Sequence, residues 1–469
     1  MSTERRPLVV IDVVGLTPNL LEHMPRLQAM AKSGFKANLG TVLPAVTCSA
    51  QSTFLTGTMP AEHGIVGNGW YFRDLSEVWL WRQSNRLVHG EKFWETAQRL
   101  LPDEDITCAK MFWWYNMYSS ADWSCTPRPV YYSNGAKAPG IYTHPHDLKH
   151  ELTQAHGGFP LFNFWGPTSD IVSTKWIADA TRSVFDKHSP SVTLCYLPHL
   201  DYDLQRYGGS GGHAIAAAKE VDDVACDLID PLRAAGAKIV VLSEYGITNV
   251  CKPVHINRRL REAGLLEVVH NEAGELLDAG ASRAFAVADH QIAHVYVRDA
   301  EAKMAAREAL ADLSGVDQIL DDESGTKRDA GLNHPRSGEL IVVAEEDAWF
   351  TYYYWLDDAR APDFAHSVDI HSKPGYDPAE LFFDGPNAKF RAALRLAQKK
   401  LGFRYRMDVI STDASRVAGS HGRLPSSKGD GPVLICSESE FRRESFEATE
   451  VFDLMLELLG VPTIREAVA

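Results

Sequence analysis

The chain has 469 residues, 45% hydrophobic and 23% charged, with a formal net charge of −15. That is enough apolar sequence for one large core or two, while the acidic balance excludes non-specific nucleic-acid binding. No apolar run of about 18 residues is present, which excludes a membrane span.

The elements follow in chain order. Met-Ser-Thr-Glu-Arg-Arg-Pro leads straight into a strand and lacks the apolar core of a signal peptide, so a cytoplasmic location is expected. Strands are predicted over 8–12, 191–197, 238–243, 292–297, 339–344 and 433–436, all short β-branched runs. Between them, helical patterns cover 28–32 (closing at Gly34), 48–55, 214–234, 256–263 (closing at Gly264), 301–313 and 387–400. The alternation predicts an α/β fold with a central, mainly parallel sheet flanked by helices. Two aromatic-rich stretches, 70–165 and 345–385, break the pattern and read as insertions on one domain spanning 1–469. They form a cap or small subdomain that packs on the core or walls a site. Seven scattered cysteines without a C-x-x-C pair argue against both a disulfide framework and a thiolate zinc site.

Three residue types carry chemistry early in the chain. Asp12 ends the first strand, where open α/β sheets face their binding crevice, and reads either as a cation ligand or as a loop cap. Thr47 opens the 48–55 helix. Its hydroxyl reads equally as an N-cap or as a nucleophile at the positive end of the helix dipole. Asn68 supplies an amide in the turn-rich loop that follows.

Pro44-x-x-Thr47, followed by Phe54-Leu-Thr56-Gly57-x-x-Pro60-x-x-His63-Gly64-Ile65-x-x-Asn68, resembles the nucleophile segment of the nucleotide pyrophosphatase/phosphodiesterase branch of the alkaline phosphatase superfamily, a group that also contains phosphonoacetate hydrolases. Ser243-Glu244-Tyr245-Gly246 and Ala418-Gly419-Ser420-His421-Gly422 resemble two later motifs of that family. The resemblance implies an alkaline phosphatase-like fold and two metal ions, usually zinc. Thr47 would be the transiently phosphorylated nucleophile and Asn68 would hold a phosphoryl oxygen. Asp12 and Thr47 would bind one metal, and Asp201 and His421 the other.

The chain departs from the family at Gln205, where a His is expected four residues after Asp201, and at Glu244-Tyr245, in place of Asp-His. Gln205 and Glu244 offer oxygen ligands in compensation, which shifts the expected cation from zinc toward manganese, magnesium or calcium. His371, in the loop with Asp369 and Lys373, is a candidate replacement ligand, and Asp289-His290, beside the 292–297 strand, reads as structural. The expected function is metal-dependent hydrolysis of a small phosphoester; aromatic side chains of the insertions suit stacking on a base, which points to a nucleotide-like substrate. The alternative is a ligand-binding protein that keeps the fold with a degraded metal site. Nothing in the sequence specifies an oligomeric state.

Overall fold

The computed structural model describes residues 5–133 and 137–461. The first four residues, part of the leader reading above, lie outside them. Leu8–Val13 is buried at every position, as an apolar run covered on both faces of a sheet should be. It pairs in parallel with Val192–Leu197 on one side and with Lys238–Leu242 on the other.

These three strands are the middle of a nine-stranded sheet. Its order is Ser445–Phe446, Phe35–Leu39, Val433–Cys436, Lys238–Leu242, Leu8–Val13, Val192–Leu197, Cys108–Met111, Trp123–Pro127 and Ile141–His144. Val433–Cys436 and Ile141–His144 run against the rest. Part of the 70–165 stretch is therefore central sheet. Its first part, the hairpin Gly69–Phe72/Glu77–Leu80, contributes Trp70 and Leu80 as buried residues.

Two of the expected strands belong elsewhere. Ile292–Val297 and Leu340–Ala344 form a second, wholly antiparallel sheet with Ala284–Asp289 and Val316–Leu320. A two-residue turn joins Asp289 to Ile292, and so short a link permits only antiparallel pairing. The run itself is buried and apolar, like a central parallel strand, and its composition cannot separate the two cases. The aromatic run between 349 and 355 packs this second core: Trp349, Tyr352, Tyr353, Tyr354 and Trp355 are all buried there.

The carboxyl ends of Leu8–Val13, Val192–Leu197 and Lys238–Leu242 share one edge of the central sheet, the crevice side of an open α/β fold. The helix Thr47–Thr56 starts against that edge and is buried along its whole length; Gly57 closes it in the left-handed region at φ +66°. No helix among the described residues is long and apolar enough to cross a membrane.

Candidate active site

Asp12, Thr47, Asp201, Gln205, Glu244 and His421 converge at this edge, and all are buried. The cluster divides into two halves. In the first, the Gln51 amide nitrogen donates to Asp12 Oδ2 (3.0 Å) and to Glu244 Oε1 (2.7 Å). The Trp114 backbone N–H donates to Gln51 Oε1 at 2.8 Å, which orients the amide with its NH2 toward the two carboxylates. The other oxygens, Asp12 Oδ1 and Glu244 Oε2, are buried without a hydrogen-bond partner. Burial pushes the Asp12 carboxyl up to about 7. Glu244 is driven well above the usual carboxylate range by burial and then by the charge of Asp12.

The second half is built from rings and amides. Gln205 donates to Asp201 Oδ2 at 2.8 Å, one turn along the helix His199–Tyr207, and accepts from the Tyr376 hydroxyl at 2.9 Å. The Tyr245 hydroxyl donates to Asp201 Oδ1 at 3.3 Å. Tyr245 lies flat on His421, with centroids 3.6 Å apart. His421 in turn meets His290 at 3.6 Å, and His290 meets Tyr376 at 3.7 Å. His421 Nδ1 bonds the Ala45 carbonyl at 2.8 Å. A carbonyl only accepts, so the ring proton sits on Nδ1 and Nε2 presents a lone pair. That Nε2 is buried, lacks a hydrogen-bond partner, and lies 3.7 Å from Asp201 Oδ1. Burial pushes Asp201 up to about 7 and His421 down to about 3.

Thr47 joins the halves. Its Oγ1 lies 3.1 Å from the Tyr245 oxygen. Burial holds the Tyr245 phenol well above its ordinary value, so it stays protonated. With the phenol proton directed at Asp201, the Thr47 hydroxyl donates to the phenol oxygen, giving a chain Thr47–Tyr245–Asp201. Asn68 stands beside it. Its Oδ1 accepts from the Cys48 N–H (3.0 Å), while its own N–H and Nδ2 donate to the Asp289 carboxylate (2.8 and 3.0 Å). One Nδ2 hydrogen is left for another acceptor.

His371 does not join this cluster. It is exposed, and its electrostatic neighbours are Lys137, Asp369 and Arg82. Lys373, in the same loop, is buried in ion pairs with Asp377 and Glu380 at 2.7 Å each. A Pro/Gly-rich loop imposes no side-chain direction, so proximity in sequence was a weak guide there.

Three members of the cluster were not singled out as site residues by sequence reasoning. Gln51 lies four residues after Thr47, on the same helix face, and that spacing was the available signal. His290 was read as structural. It sits in the ring stack, at the tip of the hairpin, with φ of 62°, a region that non-glycine residues rarely adopt. Tyr376 follows the loop that drew attention to His371.

A family model described as type I phosphodiesterase/nucleotide pyrophosphatase matches residues 8–377. No curated protein sequence matches the chain. Among solved structures, murine ectonucleotide pyrophosphatase/phosphodiesterase 5 is similar, with a TM-score of 0.60 and 13% identity over 98% of this chain and 96% of that one. Its inactive form was solved in complex with AMP. Phosphonoacetate hydrolase from Sinorhizobium meliloti 1021, in complex with phosphonoacetate, gives a TM-score of 0.62 and 14% identity over 97% and 96%. At these identities the likeness establishes a shared fold.

Proposed function

The chain belongs to the type I phosphodiesterase/nucleotide pyrophosphatase family, and from that premise we propose that it hydrolyses a small phosphoester through attack of the Thr47 hydroxyl on phosphorus. The hydrogen-bond chain Thr47–Tyr245–Asp201 carries this reading. As Thr47 Oγ1 bonds to phosphorus, its proton passes to the Tyr245 oxygen and the Tyr245 proton to Asp201. With its carboxyl held near 7 by burial, Asp201 is matched to proton transfer at neutral pH. The developing oxyanion faces the positive end of the Thr47–Thr56 helix, and the spare Asn68 amide hydrogen is a donor for a phosphoryl oxygen. The leaving oxygen departs as its P–O bond breaks and takes a proton from solvent; water then attacks the phosphorus of phospho-Thr47, releasing phosphate or its monoester, and the proton on Asp201 returns through Tyr245 to the Thr47 oxygen.

The family resemblance implies two cations, and the two halves of the site differ in their fit. In the first half, Asp12 Oδ1 and Glu244 Oε2, buried and unpartnered next to Thr47, suit one cation with oxygen ligands, for which magnesium, manganese or calcium is a better match than zinc. Such an ion supplies Lewis-acid stabilisation of phosphoryl charge when bound. The second half does not fit. Both Asp201 oxygens receive hydrogen bonds from Gln205 and Tyr245, and His421 is sandwiched between the Tyr245 and His290 rings. Among the described residues no group of three or more His, Cys, Asp and Glu side chains is arranged to hold a metal.

The same satisfied hydrogen bonds favour a second reading, a ligand-binding member of the family that has lost turnover. Hydrolysis of bis(4-nitrophenyl) phosphate and 4-nitrophenyl phosphate, with magnesium, manganese, calcium or zinc added, separates the two. The enzyme reading expects turnover in the parent, a loss of about a thousandfold or more in Thr47→Ala, and partial retention in Thr47→Ser. A parent that is inactive under every cation, or a Thr47→Ala protein as active as the parent, overturns it.

A further inference from the structure

The acidic balance of the chain reverses in one stretch. Residues 387–407 contain seven Lys and Arg and no Asp or Glu, in a protein whose net charge is −15. Most of this stretch is the helix Ala388–Lys400, in which only Ala388 is buried. Its inner face is small: Ala388 and Ala392 pack with Val409, Ile410, Phe383 and Val368.

The outer face is apolar. At about 100° per residue, Phe390, Leu394 and Leu401 fall within a narrow arc opposite Ala388 and Ala392. Phe390 is 68% exposed, Leu394 51%, Leu401 73%, and Phe403 just beyond is 66% exposed. Lys389 and Lys400 flank this ridge on one side; Arg391, on the other, is paired with Asp384 at 2.7 Å. The Lys399 ammonium donates to the Lys137 carbonyl at 3.1 Å. That contact ties the helix to the hairpin of Val130–Tyr131 and Lys137–Ala138, where Tyr131 and Tyr132 are also more than half exposed.

An outward ridge of Phe and Leu bordered by Lys and Arg matches a surface that is apolar inside and anionic at its edge. Long cationic side chains lie along such a boundary with stems in the apolar layer and charges at the phosphates. A second copy of this chain meets the ridge less well, because a two-fold contact would set cationic flank against cationic flank. At thirteen residues the helix is too short to span a bilayer.

We propose that the helix Ala388–Lys400 docks the protein on an anionic phospholipid surface, lying in the headgroup layer with Phe390, Leu394, Leu401 and Phe403 inserted. The predominantly acidic remainder of the chain is repelled by the same surface, which orients the molecule with this helix toward it.

Co-sedimentation of the full chain with vesicles tests this. Binding is expected to vesicles of phosphatidylcholine containing about one-third phosphatidylglycerol, at least about tenfold over phosphatidylcholine alone, and to weaken in about 0.5 M NaCl. The triple variant Phe390→Ser/Leu394→Ser/Leu401→Ser should lose binding at least about tenfold while keeping the parent's thermal midpoint, since all three side chains are exposed. Lys389→Gln/Lys400→Gln should weaken binding and flatten its salt dependence. Equal binding to both vesicle types, no binding to either, or undiminished binding by the triple variant overturns the proposal. So does sedimentation velocity showing self-association that the triple variant abolishes, which would make this face a contact between copies.

Discussion

The two halves of the site share one sheet edge and lie on either side of the Thr47 hydroxyl, yet they satisfy their carboxylates in different ways. Around Asp12 and Glu244 a single amide, Gln51, covers one oxygen of each and leaves the other of each buried and bare. Around Asp201 both oxygens are covered, by an amide and a phenol, and the nearest imidazole is held in a column of rings. A buried bare carboxylate oxygen is costly unless a proton or a cation meets it, and burial already holds Asp12 and Glu244 toward their protonated forms. In the second half the atom left bare is instead a neutral imidazole nitrogen, His421 Nε2. One half therefore leaves carboxylate oxygens bare where the other covers its carboxylate with neutral donors, and the proposed cation fits only the first.

Breaking the first half should have the largest effect on cation binding. Titration calorimetry with manganese is expected to give one site per chain in the parent, weakened about 100-fold or more in Asp12→Asn. Asp201→Asn should leave that site in place. Two sites in the parent, or equal losses in both variants, would remove the distinction between the halves. A smaller effect, and one that sharpens the comparison, is expected from Gln205→His combined with Tyr245→His. These changes add two imidazole ligands beside Asp201 and remove the phenol that stacks on His421, so zinc bound per chain, measured by elemental analysis, should rise by about one over the parent. If it does not rise, the ring column is not what closes that position.

The first half was more legible in the sequence than the second, and for a physical reason. Leu8–Val13 and Lys238–Leu242 are buried apolar strands whose ends place Asp12 and Glu244; period and composition announce such strands. The helix that begins at Thr47 was equally visible, from 48 to 55 against an observed Thr47–Thr56. Gln51 was readable only as a residue one turn after Thr47, and its bond to Trp114 joins segments 63 residues apart. The second half depends on still longer closures: Tyr376 reaches Gln205 across 171 positions, and His290 reaches the ring column from the tip of an antiparallel hairpin that looked like a parallel strand with a structural Asp-His before it. Local pattern specifies elements; it does not specify which loop a distant turn delivers to a sheet edge.

The smallest expected effect concerns pH, and it again sets one half against the other. Asp12 is raised in the folded protein to about 7 from an ordinary 3.8, so the unfolded chain gives up its proton first. The stability tied to this group is present in full below its ordinary value and is lost as pH rises through 7. Glu244 is shifted in the same direction. A cation between these carboxylates takes the place of the protons they hold, so it should stabilise the fold where those protons have left and compete with them where they have not. Manganese is therefore expected to raise the thermal midpoint at about pH 8, by about 1 °C for each kcal/mol of binding in a chain of this size, and by less at about pH 5.5. In Asp12→Asn the two pH values should give the same small shift. An increase that is larger at the lower pH, measured by differential scanning fluorimetry, would place the cation elsewhere than between Asp12 and Glu244.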